Sequence, residues 1–328
     1  MEFSELMASP PIIRDFLTYS STIKGKSKLS VEEYYFDLTT FFKYIKLSRG
    51  LSPSDKEFQE IDISDIDEAL VKSITISDLL AFLVFCKEER DNNAATRARK
   101  ASTLRVYFRY LTNTKHILTD NPAVELETPK TKKSLPRFLT LEESLKLLSV
   151  VDGDYKERDY CIITFFLNCG MRLSELCSLN LTSFGENGSM TLLGKGNKER
   201  TVYLNQACID ALEKYLPTRP VDGVLQKDKN ALFLSKFKKR ISNKTVQHIV
   251  YSNLEKAGLG DRGLSVHKLR HTAATLMYQH GNVDIRILKD ILGHANLGTT
   301  QIYTHISDSQ IKKAIDSNPL GNIKSENK

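Results

Sequence analysis

Between Thr119 and Phe138 the chain carries Pro122, Pro129 and Pro136 together with Lys130, Lys132 and Lys133. Each proline fixes its own φ, removes an amide donor and pushes the preceding residue out of the helical region, so no continuous helix or central strand can run through this stretch. At 328 residues the chain is also longer than one hydrophobic core usually supports. The stretch therefore reads as a basic, extended linker between two separately cored domains. Residues 1–118 lie on one side, residues 119–138 form the linker, and residues 139–328 lie on the other.

On the N-terminal side the pattern is helical. Ser30 followed by Glu33 has the spacing of a capping box, and Tyr34, Leu38, Phe41, Phe42 and Ile45 then recur with helical period. Thr75 with Asp78 marks a second start, leading into Leu79, Leu80, Phe82, Leu83 and Phe85. The acidic segment Ser52 to Glu68, with Pro53, reads as a loop or short surface helix and as a poor contact for DNA. From Ala94 to Leu111, Arg97, Arg99, Lys100, Arg105 and Arg109 stand among Val106, Tyr107 and Tyr110. Two readings stay open there, a solvated helix face and a helix facing nucleic acid.

Beyond the linker, Thr140 with Glu143 caps a helix through Leu145, Leu147 and Leu148, and Tyr160 to Leu167 is a nearly continuous apolar helix. Ser189 to Leu193 and Thr201 to Leu204 read as two short strands joined by the turn Gly194-Lys195-Gly196-Asn197. The remainder from about Thr245 is helical, punctuated by glycines. The expected class is mainly α with a small β-sheet.

Lys and Arg number 47 against 40 Asp and Glu, a net charge of +7. The excess is uneven: residues 1–120 sum to −1 and residues 121–328 to +8. A basic half favours a polyanionic partner, nucleic acid first. Cys86, Cys161, Cys169, Cys177 and Cys208 are odd in number, sit mostly in apolar runs and lack CxxC spacing, so they read as buried thiols of a reducing compartment. No run approaches the roughly 20 apolar residues of a membrane span and no secretory leader is visible, so the expectation is a cytoplasmic protein with no membrane partner.

Against this background one ordered set of residues carries the chemistry: Arg172, Lys195, His267, Arg270, His294 and Tyr303. It offers cations and donors for a phosphate-sized anion, a proton donor and a phenol able to attack. That combination suits covalent phosphoryl transfer, in which negative charge grows on the non-bridging and leaving oxygens. Glu175, three residues after Arg172 on the same helical face, is placed to orient its guanidinium. Lys195 sits at a hairpin tip with Lys198 and Arg200 close behind, and the glycines around it lack the Gly-x4-Gly-Lys-Ser/Thr spacing that binds ATP. His267, Arg270 and His271 share one helix face. Two histidines at i, i+4 also suit zinc, but the HExxH glutamate is missing and Arg270 would sit in the metal's own shell. No metal and no cofactor are expected. Taken alone, His294 or Tyr303 would pass for a packing or surface residue, since the chain has 13 tyrosines; the weight lies in the ordered set.

The segments Gly170 to Leu179 (GMRLSELCSL), Leu193 to Leu204 (LGKGNKERTVYL), His267 to Ala274 (HKLRHTAA) and Leu292 to His305 (LGHANLGTTQIYTH) resemble the tyrosine recombinase, or phage integrase, family and its Xer-like bacterial branch. The resemblance covers about residues 138–310; toward the N-terminus it rests on the helical pattern, on Asn121-Pro122-Ala123 and on Leu135-Pro136 before Leu139-Thr140. It implies a helical, SAM-like core-binding domain followed by an α-rich catalytic domain with a small antiparallel sheet. It further implies Tyr303 as nucleophile, Arg172 and Arg270 as a clamp on the scissile phosphate, Lys195 as general acid, His267 and His294 in the phosphate shell, Glu175 in support and His271 behind them. DNA contacts are expected from Arg97, Arg99, Lys100, Arg105, Lys130, Lys132, Lys133, Lys198 and Arg200. The implied activity is site-specific recombination of double-stranded DNA through a 3′-phosphotyrosyl link and a Holliday junction, for chromosome dimer resolution or for integration and excision of a mobile element. The implied assembly is a homo- or hetero-tetramer on two duplexes carrying a specific site, with a partner recombinase or accessory protein. After Tyr303, Ile306, Ile311, Ala314 and Ile315 suit a tail helix docked either on its own domain or on a neighbouring protomer. Rival readings are a type IB topoisomerase, which needs no second duplex, a DNA-binding regulator without an adduct, and a metal-dependent hydrolase sensitive to chelator.

Overall fold

The computed structural model describes residues 9–52, 57–129, 137–185, 188–193, 199–281 and 283–293. It divides into two compact units, residues 1–133 and 134–328.

In the first unit, α1 (Pro11–Thr22), α2 (Lys28–Ser48), α3 (Glu68–Lys72), α4 (Ile76–Glu88) and α5 (Ala94–Asn113) follow one another. The centre is α2, against which α1, α4 and α5 pack. Its Leu38, Phe41, Phe42 and Ile45 are fully buried, as the helical spacing requires of one face. Phe41 meets Phe82 edge-on with ring centroids 5.2 Å apart, and Phe42 meets Tyr107 at 6.0 Å, the geometry aromatic quadrupoles prefer. The cap of α2 lies one turn earlier than the Ser30–Glu33 spacing suggests. Ser27 accepts the amide of Ser30 at 3.3 Å and the two hydroxyls lie 2.9 Å apart. The box at Thr75 and Asp78 is formed as expected.

The acidic segment before α3 is less superficial than its composition suggests. Ile61, Ile63 and Ile66 are buried, and the buried Lys46 of α2 holds the segment through the Asp65 carboxylate at 2.7 Å and the Asp62 carbonyl at 2.9 Å. The linker reading needs a similar correction. Leu118, Ala123 and Leu126 belong to the first core, so the Pro122 turn is folded onto that unit instead of extending from it.

The basic helix α5 is tied inward at one point. Asp37 of α2, 1% exposed, accepts from Lys100 at 3.0 Å, Thr103 at 2.8 Å and Arg99 at 2.7 Å. A carboxylate this deep is tolerable only when paired and hydrogen-bonded, and here both conditions hold. Lys100, one of the expected DNA contacts, is itself buried, and its charge is neutralised within the unit. Arg99 also bonds Glu33. Arg97 donates to the Asn92 carbonyl at 2.6 Å and Arg105 to Thr128 at 2.9 Å.

In the second unit, α6 (Leu141–Ser149) starts from the capping box of Thr140 and Glu143. Next comes α7 (Lys156–Cys169), buried nearly all round and packed by α6, by α9 (Gln206–Tyr215), by α10 (Asn243–Lys256) and by α11 (Val266–His280). Between α7 and α9 lie α8 (Leu173–Ser178) and an antiparallel pair, β1 (Ser189–Leu193) and β2 (Glu199–Tyr203). The second strand begins two residues before the sequence pattern places it, and the turn joining the pair lies outside the described residues. Met190, Leu192 and Val202 face the core while Thr191, Thr201 and Tyr203 face out. Last comes α12 (Ile285–Leu292), which closes over α11 through Leu288, Leu292 and Ala274.

Candidate active site

Glu175 lies in the first turn of α8 and is 1% exposed. Arg172 precedes that helix as its N-cap, so the expected i, i+3 pairing takes the form of a cap. Glu175 Oε2 accepts the Arg172 amide at 2.6 Å, and Oε1 accepts Arg172 Nη1 at 2.8 Å. Arg200, entering from β2, grips the same carboxylate with both prongs, Nη2 to Oε2 at 2.9 Å and Nη1 to Oε1. Arg270 of α11 brings Nη1 to 4.0 Å from Oε2. Burial alone would raise the Glu175 pKa, but hydrogen bonds from Arg200 and from the Arg172 amide and side chain overcome it and hold the carboxyl at about 2. Three guanidiniums around one carboxylate leave two positive charges in excess.

The same three arginines bind the end of α12. Arg200 Nε donates to the Ile291 carbonyl at 3.1 Å, Arg270 Nη2 to that of Leu292 at 2.5 Å, and Arg172 Nη2 to that of Gly293 at 3.0 Å. The last carbonyls of a helix have no intrahelical partner and carry its negative pole, so cations at this end are doubly favoured. Two glycines permit the approach. Gly170 ends α7 at φ +56°, its carbonyl accepts Arg270 Nη1 at 2.8 Å, and a Cβ there would stand 2.8 Å from Leu292 Cδ2. Gly293 ends α12 at φ +62°, with Arg200 Cδ 3.0 Å from where its Cβ would be.

His267 opens α11 beside this cluster, and its ring meets that of His271 edge-on at 4.6 Å. Desolvation, then Arg270, Lys268 and Arg172, lower the His267 pKa, which favours the neutral ring. His271 is buried at 7% exposure, set back from the surface. Among the expected site residues, the structure thus brings together Arg172, Glu175, His267, Arg270 and His271. Lys195, Lys198, His294 and Tyr303 lie outside the described residues, as do Lys130, Lys132 and Lys133.

Arg200, expected only as a DNA contact, has a place in the cluster that the sequence reading did not foresee. Its side chain is 12% exposed and its fork is committed to Glu175. The signal was available in the strand period: Val202 faces the core, and Arg200, two residues earlier and opposite the buried Leu192, shares that face.

Such a cluster suits one phosphodiester: cationic, partly open at Arg172, whose side chain is 34% exposed, and held rigid by a buried carboxylate and a helix end. On an α-rich scaffold with a two-stranded sheet, these features fit the class of enzymes that break and rejoin DNA strands. The chain belongs to the phage integrase family, whose model matches residues 137–310. The tyrosine recombinase XerC of Caldanaerobacter subterraneus subsp. tengcongensis is 52% identical over 320 residues, covering 98% of this chain and 90% of the relative. The tyrosine recombinase XerA of Pyrococcus horikoshii is 32% identical over 330 residues, covering 98% of each. Among solved structures, the XerH site-specific recombinase bound to its difH substrate matches with a TM-score of 0.66 at 24% identity, over 93% of this chain and 84% of that one. The Tn1549 transposon integrase in complex with circular intermediate DNA matches with a TM-score of 0.66 at 18% identity, over 94% and 99%. The protein is a site-specific tyrosine recombinase of the Xer-like branch, a DNA-binding enzyme that cuts and rejoins strands; the topoisomerase and regulator readings are not favoured.

Proposed function

We propose that Tyr303 is the nucleophile of a Xer-type recombination reaction at a specific site in duplex DNA. The phenolate oxygen attacks the scissile phosphorus, a tyrosyl–phosphate bond forms, the bond to the 5′ oxygen breaks, and Lys195 gives that oxygen its proton. Arg172 and Arg270 neutralise the non-bridging oxygens as charge grows there. His267, whose pKa burial and the neighbouring cations lower, donates a hydrogen bond to the same phosphate together with His294, and Glu175 holds the arginines in place. Each step exchanges one phosphodiester for another, so bond energy is conserved and the free 5′-hydroxyl of a partner duplex can reverse the attack. Two rounds of exchange by a tetramer on two duplexes recombine the DNA, which suits resolution of chromosome dimers.

The observation carrying this reading is the arrangement of Arg172, Arg200 and Arg270 on the carbonyls of residues 291–293, immediately before His294 in the chain. The arginines of the phosphate clamp and the segment leading to His294 and Tyr303 are thereby tied at one point. Tyr303→Phe tests it on a nicked suicide substrate. The variant should bind DNA as the parent does and yield no covalent adduct, and any residual cleavage would assign the attack to another group.

A further inference from the structure

The geometry points to Arg200 as a positioning residue for strand cleavage: a guanidinium only 12% exposed that touches no DNA but fixes the two arginines that do. This rests on the reading of Arg172 and Arg270 as the phosphate clamp. Arg200 reaches Glu175 with two nitrogens and the Ile291 carbonyl with the third. Glu175 in turn holds both the backbone and the side chain of Arg172 and lies 4.0 Å from Arg270. Ile291 is the neighbour of Leu292 and Gly293, whose carbonyls hold the remaining prongs of Arg270 and Arg172. Arg200 therefore closes both ends of the frame in which the clamp sits, the carboxylate end and the helix end.

Without Arg200, Glu175 keeps only the Arg172 bonds and the distant Arg270, and it is free to draw Arg270 inward, away from the substrate. The last turn of α12 is then held by two arginines instead of three. A lysine cannot replace Arg200, because a point charge on a flexible stem lacks the planar fork that spans both carboxylate oxygens while also reaching a carbonyl. The approach at Gly293 reinforces the fit: the arginine stem passes 3.0 Å from where a Cβ would stand, a space only glycine leaves open.

A positioning role and a purely structural one differ in which substrate feels the loss. If Arg200 acts by holding cations against the non-bridging oxygens, its removal matters only while those oxygens carry charge. The test uses full-length protein and single-turnover release of the 5′-hydroxyl strand from two duplexes, one with the natural phosphodiester and one with an uncharged methylphosphonate at the scissile position. R200Q should slow the natural substrate by roughly 30-fold, as supporting residues behind a reactive centre commonly do, and the methylphosphonate by less than about threefold. R200K should show the same recovery and covers the case in which R200Q does not fold. Duplex affinity should stay within about twofold of the parent. Equal losses on both substrates, or no loss on either, would overturn the assignment. R172A is the control: if the methylphosphonate does not relieve its defect, the phosphate-clamp reading fails first and takes this one with it.

Discussion

At the scale of single residues, Glu175 concentrates the physics of the catalytic unit. Its carboxyl is held at about 2 against an ordinary 4.5, because Arg200 and Arg172 outweigh the burial that would raise it. A depressed carboxylate pKa stabilises the fold fully above the unfolded value and loses that contribution as pH falls through the folded one. The span corresponds to roughly 3 kcal/mol, comparable to the cost of unpairing a buried charge. Between pH 4.5 and 2 the parent should therefore lose stability steeply in urea titrations, whereas E175Q should start about 3 kcal/mol lower and show a flatter pH profile over that window. An unchanged slope in E175Q would remove Glu175 from its central place. The carboxylate itself was readable from the Arg172-x-x-Glu175 spacing, and the inward face of Arg200 from the strand period, but the pairing of the two was not. Arg200 lies 25 residues away on another element, and no local pattern ties a strand arginine to a helix cap.

At the scale of elements, the sequence was most legible where a local hydrogen bond decides the outcome. The boxes at Thr75 with Asp78 and Thr140 with Glu143 are formed where the spacing placed them, because the cap satisfies amides that the helix leaves open. It was least legible where tertiary burial overrode composition. Ile61, Ile63 and Ile66 enter the core from within an acidic run, and Ser27 displaces Ser30 as cap because both serines have the right chemistry one turn apart. The junction of α7 and α12 is likewise tertiary. Gly170→Ala should destabilise the protein by about 2 kcal/mol, from the left-handed backbone and the Leu292 clash together, and should slow cleavage by loosening α12. Gly50→Ala is the comparison, with φ +64° and nothing within 4 Å of the added carbon, so it carries the backbone cost alone. Chemical denaturation of both variants separates the two contributions; equal losses would mean that Leu292 simply moves aside.

Over the whole molecule, charge placement decides how DNA affinity responds to salt. Lys100 is neutralised inside its unit by Asp37 and Arg200 is committed to Glu175, so among the expected backbone contacts the weight moves toward Lys130, Lys132 and Lys133. Replacing these three lysines with alanine should weaken binding to any sequence and make the log–log salt slope shallower by about 2.7, at about 0.9 for each phosphate no longer neutralised. A slope that does not change would place the basic stretch away from the duplex. No helix among the described residues is long and apolar enough to cross a membrane.

The arginine frame has a further consequence for how the enzyme comes into being. Its pieces arrive from positions 172, 200 and 270, and the carbonyls that complete it are translated at 291–293. A polypeptide still emerging from the ribosome holds most of the cations but not the helix end that sets them. The arginines can therefore take up this arrangement only once residues 291–293 have been made, which leaves the frame to close among the last steps of folding.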